Sequence, residues 1–342
     1  MHILVDAMGG DNAPFEIVKG AVEAVAELGV TVTLIGKGEE ILDALHKQGL
    51  EDLPKEIGIA HASQVVEMAD NPASSGREKP DSSMAVGLKM LAAGDGDAFV
   101  SAGSTGALLA GAIFSVRRIK GIKRAALAPV IPTKSGGAIL IDCGANLECK
   151  PGYLLQFGYM GSLYAQKVLG VGKPRVGLLN VGAEETKGPE VLKEAYKLLM
   201  GASEAGKLHF LGNVEGRDVA FGAADVVVSD GYGGNIFLKT MEGVGLFFAD
   251  MLKGMFYKNI FSKLSALMVK SGLREFKKTL DYTETGGSPL LGLQKPVIKA
   301  HGSSNAKAMK NAIRQAKNFA AGGVISTITE NIDAITVSEE TE

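Results

Sequence analysis

Short apolar runs rich in β-branched residues alternate along the chain with longer stretches of helical periodicity. The apolar runs predict strands at Ile3–Asp6, Thr31–Ile35, Ile57–His61, Ala98–Ser101, Ala138–Asp142, Val176–Asn180 and Val226–Asp230. The periodic stretches predict helices at Phe15–Leu28, Glu39–Lys47, Ser82–Ala93, Leu154–Leu169 and Pro189–Ala205. This alternation predicts an α/β fold with a mostly parallel, doubly wound sheet covered on both faces. Without a long linker or a repeat, residues 1–342 are expected to form one interleaved body with a central cleft.

Five of the predicted strands end in glycine-rich or small polar loops: VDAMGGDNAP (5–14), VSAGSTGALL (100–109), LIDCGANLE (140–148), LLNVGAEETKGP (178–189) and VVSDGYGGN (227–235). The carboxyl ends of parallel strands form the binding crevice of such sheets, and helix N-termini there suit anions. A single loop of this kind is compatible with a plain tight turn, but five together favour a ligand site. Candidate binding residues in these loops are Asp6, Gly9, Gly10, Asn12, Ser104, Thr105, Asn146, Asp230 and Gly231.

Charged and amide side chains near helix starts are further candidates. Arg77 and Lys79 lie in a loop rich in proline and glycine before a helix, and Lys187 directly precedes a helix that starts at Pro189. Basic groups there suit a bound anion, although solvated loop charges are the alternative. Asn235 is either a helix N-cap or an amide aimed at a reacting carbonyl. His301 is either a site residue or a structural one.

Composition narrows the function classes. A net charge of −2 gives no general attraction for nucleic acid. Two cysteines make neither a disulfide framework nor a four-ligand zinc set, and H-E-x-x-H, G-x-S-x-G and Walker A motifs are missing from the sequence. The first residues lack a signal-peptide pattern, and no uncharged apolar run reaches the roughly 18 residues of a membrane span. We therefore expect a soluble protein, or one lying on a membrane surface.

The segment 250–280 carries an excess of basic residues and an apolar stripe. Phe256, Ile260, Leu264 and Leu267 recur at spacings of four, four and three, which places them on one face of a helix. Such a basic amphipathic helix can lie in a membrane interface. The alternative is a core or dimer helix with a solvated basic face.

Six motifs together resemble one known family. VDAMGGDNAP, SAGSTGAL, IDCGAN, LLNVGAEETKG, SDGYGGN and KAHGSS, in this order, are similar to the bacterial acyl-ACP:phosphate acyltransferases (PlsX). The resemblance implies transfer of a fatty acyl group from acyl-ACP to inorganic phosphate, giving acyl phosphate for phospholipid synthesis without a metal or a cofactor. It also implies a fold like that of phosphate acetyltransferases and the isocitrate and isopropylmalate dehydrogenases.

The same resemblance implies roles for individual residues and a cellular place. Lys187 and Asn235 match the family's catalytic lysine and asparagine, and Arg77 and Lys79 match its basic phosphate-side loop. Pro80 departs from relatives that often carry a basic residue there. A homodimer is implied, in the cytoplasm and peripherally bound to the inner face of the membrane, whose anionic surface and downstream membrane acyltransferase are its partners. Residues 338–342 are expected to be a variable tail.

Two other functions fit the same predicted fold. A nicotinamide-dependent dehydrogenase would need a cofactor signature and a carboxylate cluster, whereas Asp6, Asp142 and Asp230 are scattered in sequence. A non-catalytic, membrane-tethered scaffold for the carrier protein is the other alternative. Formation of acyl phosphate separates both from the transferase.

Overall fold

A computed structural model describes residues 1–72, 74–259, 261–262, 265, 268–272 and 282–335. Its described strands form two sheets, and the larger has the order β3-β2-β1-β4-β12-β11-β5. Its strands are β1 His2–Asp6, β2 Thr31–Gly36, β3 Ile57–His61, β4 Ala98–Ser101, β5 Ala126–Leu127, β11 Gly287–Leu291 and β12 Val297–Ala300. Strands β1, β2, β3, β4 and β12 are parallel, while β11 is antiparallel to both of its neighbours.

The smaller sheet has the order β6-β7-β10-β8-β9. Its strands are β6 Val130–Thr133, β7 Gly136–Ile141, β8 Arg175–Leu179, β9 His209–Val214 and β10 Val226–Val228. Only β6 runs antiparallel, in a hairpin with β7. The predicted mostly parallel α/β fold is thus confirmed, with its parallel strands divided between two sheets.

Helices pack on the faces of these sheets. They are α1 Phe15–Leu28, α2 Gly38–His46, α3 Ser75–Glu78, α4 Ser83–Ala93, α5 Thr105–Ser115, α6 Pro151–Lys167, α7 Glu190–Glu204, α8 Gly216–Ala220, α9 Gly231–Tyr257, α10 Tyr282–Thr285, α11 Ala306–Ala321 and α12 Val324–Glu330, before a short 3-10 helix, Ile332–Ile335. The five predicted helices are confirmed as α1, α2, α4, α6 and α7, with ends shifted by three residues or fewer.

Two apolar cores lie on opposite faces of the sheets. Side chains alternate between the faces of a strand, and Ile3 and Val5 belong to one core while Leu4 belongs to the other. The same alternation in β10 puts Val226 and Val228 opposite Val227. The first core includes side chains of α1, α6 and α11, and the second includes those of α4 and α5. Each core contains strands of both sheets, so the two sheets share their apolar interior.

The long helix α9 begins beside the smaller sheet and ends at Tyr257, where it carries a series of exposed apolar side chains. These are Leu246, Phe247, Phe248, Met251, Met255 and Tyr257, between 47% and 71% exposed. In the predicted amphipathic segment, Phe256 is half-buried at the end of α9, whereas Ile260, Leu264 and Leu267 lie outside the described residues. Within the described chain, no helix combines the length and apolar character needed to cross a membrane.

Candidate active site

A cavity of about 1320 Å³ opens where strand-end loops of the two sheets face each other. The larger sheet contributes loops that follow β1, β4 and β12, which are neighbours in that sheet. The smaller sheet contributes the loop after β7 and the first turns of α9, which follows β10. The cavity is thus lined by residues from four of the five glycine-rich strand-end segments from which a crevice was predicted.

The loops after β1 and β12 are fastened to each other. The backbone N–H of Asp11 donates to the carbonyl of Gly302 over 2.8 Å, and the side-chain amide of Asn12 donates to the carbonyls of Ser303 and Ser304 over 3.2 Å each. Asp11, Gly302 and Ser303 line the cavity. Asn12 does not line it, but its hydrogen bonds join the two loops that do. Asn12 thus positions the site.

Asp6 is a buried anchor rather than a cavity group. Its carboxylate accepts the Ser101 hydroxyl over 2.6 Å and the backbone N–H of Met8 over 3.2 Å, which ties the loop after β1 to the end of β4. Burial raises the pKa of this carboxyl above its ordinary value, while these hydrogen bonds lower it. Since Asp6 does not line the cavity, its predicted place in the site is that of a support.

Close packing brings the first loop onto the start of α5. A Cβ atom at Gly9 would lie 2.6 Å from a carboxylate oxygen of Asp6 and 2.7 Å from the backbone nitrogen of Gly103, so only glycine fits there. Gly10 has a positive φ of 103° and approaches the carbonyl of Gly302. Ser104 is the N-cap of α5 but makes no side-chain cap bond, and Thr105, the first helical residue, lines the cavity. The first-turn amides of α5 therefore lie at the cavity wall.

The loop after β7 is organised by Asp142. Its carboxylate accepts the backbone N–H groups of Leu127, Cys143 and Asn146 over 2.8, 2.7 and 2.6 Å. The side-chain amide of Asn146 donates to Asp142 and to the carbonyl of Ala125. Asn146 therefore stabilises the loop and is not among the cavity-lining residues.

The start of α9 shows that Asn235 is not the N-cap of this helix. Asp230 is the N-cap, because its carboxylate accepts the backbone N–H of Gly233 over 2.6 Å. Gly231 lies so close to the loop after β7 that a Cβ would be 2.6 Å from the carbonyl oxygen of Asn146. Asn235 lies inside the helix, is exposed, and faces the cavity beside Gly144. The alternative that Asn235 is the helix cap is wrong.

Below Asn235, one face of α9 forms a wall of the cavity. Leu238, Lys239, Met241 and Glu242 follow at helical spacing, and the Lys239 ammonium donates to the Glu242 carboxylate over 2.7 Å. Another part of the lining is largely apolar. It comes from β5, β6 and their connection, with Leu127, Pro129, Val130, Ile131 and Pro132. The lining therefore combines polar groups at strand ends with an apolar stretch from β5 and β6.

Lys187 lies on the loop after β8, next to β10 in the smaller sheet. Its backbone is fixed, since the side-chain amide of the nearly buried Asn180 donates to the carbonyl of Lys187 over 3.1 Å. Its side chain is exposed and does not line the cavity. The structure thus puts Lys187 on the loop after β8 and Asn235 in the helix after the adjacent strand β10, with only Asn235 of the two in the cavity wall.

The predicted basic loop lies further out. Lys79 forms an ion pair with Asp70 and donates to the carbonyl of Val65 over 2.9 Å, so its ammonium already has a carboxylate partner. The hydrogen bond that Lys79 donates to Asp70 lowers the pKa of the Asp70 carboxyl. Arg77 is exposed at the end of α3. Neither basic residue lines the cavity, to which the same stretch contributes Met68.

Sequence reasoning missed Lys299, the most buried charged group in the cavity wall. Lys299 lies at the end of β12 and is 9% exposed, and burial lowers its pKa to about 8. His301, which was a candidate, follows in the same loop and lines the cavity, and burial lowers its pKa as well. Lys299 is the first residue of the motif KAHGSS. Because strand β12 was not predicted, the burial of Lys299 could not be predicted either.

Comparisons with known proteins add the family. The model of the family described as fatty acid synthesis protein matches residues 1–327. The curated phosphate acyltransferase of Alkaliphilus oremlandii is 50% identical over 336 residues, and that of Thermoanaerobacter pseudethanolicus is 49% identical over 336 residues. In both cases 98% of each chain is covered.

Solved structures resemble the fold at low sequence identity. A phosphotransacetylase from Streptococcus pyogenes matches with a TM-score of 0.63 and 18% identity, covering 94% of each chain. A 4-hydroxythreonine-4-phosphate dehydrogenase from Klebsiella pneumoniae matches with a TM-score of 0.54 and 14% identity, covering 94% of this chain and 99% of that one. These likenesses support the predicted fold class.

Proposed function

Because the chain belongs to the fatty acid synthesis protein family and its curated relatives are phosphate acyltransferases, it is an enzyme of that activity, and we propose that its acyl donor is an acyl-ACP thioester. A phosphate oxygen attacks the thioester carbon and forms the new C–O bond. The C–S bond breaks, and the carrier thiolate leaves with the electron pair. The product is an acyl phosphate for phospholipid synthesis.

The observation that supports this proposal is the twofold character of the cavity. Its polar end combines Asn235, Lys299, His301 and the start of α5, which are groups that suit an anion. Its apolar wall from β5 and β6 suits a hydrocarbon chain. A thioester that lies along the cavity would present its carbonyl near Asn235.

We assign Asn235 and Lys187 to the reacting groups. The Asn235 amide stabilises the oxyanion that develops on the thioester carbonyl, and Lys187 supplies positive charge to the transition state or the leaving thiolate. Phosphate is the nucleophile, so an enzyme of this kind works by holding two substrates together and by neutralising charge. Arg77, Lys79 and the exposed loop around them are assigned to the acidic carrier protein and to incoming phosphate.

The dehydrogenase alternative is not favoured by the acidic side chains. Asp6 and Asp142 are buried and committed to internal hydrogen bonds, and Asp230 caps α9. Among the described residues, no group of three or more His, Cys, Asp or Glu side chains is arranged to hold a metal ion.

We further propose that the exposed apolar side chains of α9 serve association. A homodimer or an anionic membrane surface would cover them. Docking on the inner face of the membrane would bring the product to a downstream membrane acyltransferase.

The direct test is product formation. Purified protein is incubated with acyl-ACP and phosphate, without nucleotide or added metal, and acyl phosphate is trapped with hydroxylamine as the hydroxamate. We expect hydroxamate that depends on both substrates. Release of free fatty acid alone, or no reaction, would contradict the proposed donor and product.

A further inference from the structure

Lys299 is a buried ammonium whose protein partners are incomplete. Its ammonium donates to the carbonyls of Ala102 and Ala300, which are neutral acceptors. An ammonium carries three protons, and no other acceptor for it lies within hydrogen-bond distance among the described residues. Because Lys299 lines the cavity, its remaining donor capacity is available to a molecule bound there.

The charge of Lys299 also lacks a direct counterion. A buried cation is costly unless an anion neutralises it. In the described part of the chain, no carboxylate lies within ion-pair distance of Lys299, and Asp6 and Asp11 act on it only at longer range. Lys79, by contrast, is paired with Asp70. A bound anion would supply the negative charge that the protein does not place beside Lys299.

The start of α5 points to the same place. Lys299 donates to Ala102, which precedes α5 by a short turn, and Thr105 at the helix start lines the cavity. The Ser104 side chain leaves the first-turn amides of α5 uncapped. A helix N-terminus and a buried ammonium on one wall provide both hydrogen bonds and charge for a small anion.

We propose that Lys299 and the N-terminus of α5 bind the nucleophilic phosphate. This inference rests on the proposed function, since the anion is taken to be the attacking substrate. The cation beside the phosphate favours its dianion, the form with more negative charge on the attacking oxygen. Lys299 thereby holds the nucleophile at the polar end of the cavity that Asn235 also lines.

The test replaces Lys299 by a neutral side chain of similar length, Lys299→Met, and by Lys299→Gln, which retains a donor for the carbonyls. We expect the KM for phosphate to rise by about tenfold to a hundredfold, the loss typical of a hydrogen bond to a charged group, while the KM for acyl-ACP stays unchanged. Phosphate binding is measured separately by titration with inorganic phosphate alone at constant ionic strength. Both variants should lose phosphate binding in this titration.

A matched control and a separate readout make the outcomes distinct. Lys317→Met removes a lysine that likewise donates to a backbone carbonyl, that of Leu28, but lies outside the cavity lining, and it should keep normal phosphate affinity. Normal affinity in folded Lys299→Gln would overturn the inference. If phosphate binding requires Lys299 but the wild-type protein forms no acyl phosphate, the proposed function fails while this binding site stands.

Discussion

At the scale of single residues, Asp230 and Asn235 at the start of α9 have different tasks. Asp230 caps the helix, whereas Asn235 faces the cavity. We expect Asn235→Ala to slow turnover by about a hundredfold to a thousandfold with little change in thermal stability, because an oxyanion donor is lost but no cap. Asp230→Ala should lower the free energy of unfolding by about 1 kcal/mol. Steady-state kinetics and thermal melts of both variants check this. If Asn235→Ala lowered stability but left turnover unchanged, the assignment of Asn235 as an oxyanion donor would be wrong.

Lys187 is exposed, and its side chain contributes nothing to either core. Lys187→Ala is therefore expected to fold normally and to lose most of its turnover. The matched control is Lys197→Ala, an exposed lysine on α7 away from the strand-end loops. If Lys187→Ala turns over like the control, the catalytic assignment of Lys187 is wrong.

The buried Lys299 makes stability depend on pH in a calculable direction. Its folded-state pKa of about 8 lies below the usual 10.5, so the folded protein releases this proton first as the pH rises. Between those values the unfolded chain binds more protons, and the wild-type protein should gain stability relative to Lys299→Met by up to about 3 kcal/mol. Denaturant unfolding of both proteins at pH 7 and pH 10, in phosphate-free buffer, measures the difference. Equal differences at the two pH values would contradict it.

The loops that line the cavity were largely predictable from the sequence, whereas the task of each side chain in them was not. Thr105, Asn235 and His301 were predicted and line the cavity. Asp6 and Asn146 were also predicted, yet their side chains form hydrogen bonds within the protein, Asp6 with Ser101 and Asn146 with the carbonyl of Ala125. Such partners are distant in sequence, so no local pattern reveals them.

At the scale of elements, α9 connects the cavity to an exposed apolar surface. Phe247→Glu combined with Met251→Glu places two charges on that surface, and we expect release from anionic vesicles or dissociation of a dimer. Co-sedimentation and light scattering distinguish the two. Phe114→Glu is the control, since Phe114 is 81% exposed on α5. Unchanged sedimentation and unchanged mass in the double variant would show that this surface serves neither purpose.

The short helix α3 presents Arg77 to solvent beside the ion pair of Lys79 with Asp70. We expect Arg77→Ala to raise the KM for acyl-ACP or phosphate, with a larger effect at low salt, where attraction between exposed charges is less screened. Kinetics at two ionic strengths measure this. If neither KM changes at low salt, Arg77 is a solvated loop charge.

Elements with strong periodicity were predictable, and weakly patterned ones were not. Helix α1 was predicted with its observed ends, because its apolar face is regular and a glycine follows it. Strands β11 and β12 were missed because glycine, proline and lysine interrupt their apolar residues. Their place in the sheet depends on β4 and β5, which lie far away in the sequence.

At the scale of the whole molecule, the cavity is formed by two sheets rather than by one. The glycine-rich loops predicted a crevice, but a single doubly wound sheet would not place the loop after β7 opposite the loop after β12. The antiparallel strands β6 and β11 also depart from a parallel doubly wound sheet. The pairing of β11 with β5 does not follow from a local pattern, because the two strands are far apart in the sequence.

The position of β12 has a consequence for biosynthesis. This strand pairs with β4, although 197 residues separate Lys299 from Ala102. On the ribosome, the edge of β4 that pairs with β12 therefore stays open until β12 has emerged, and exposed strand edges invite pairing with other chains. Lys299 and His301 are synthesised after the residues of the loops that follow β1 and β4. A chain cut before β12 thus cannot bring the cavity's buried lysine to its site, and competence arises only after β12 has been made.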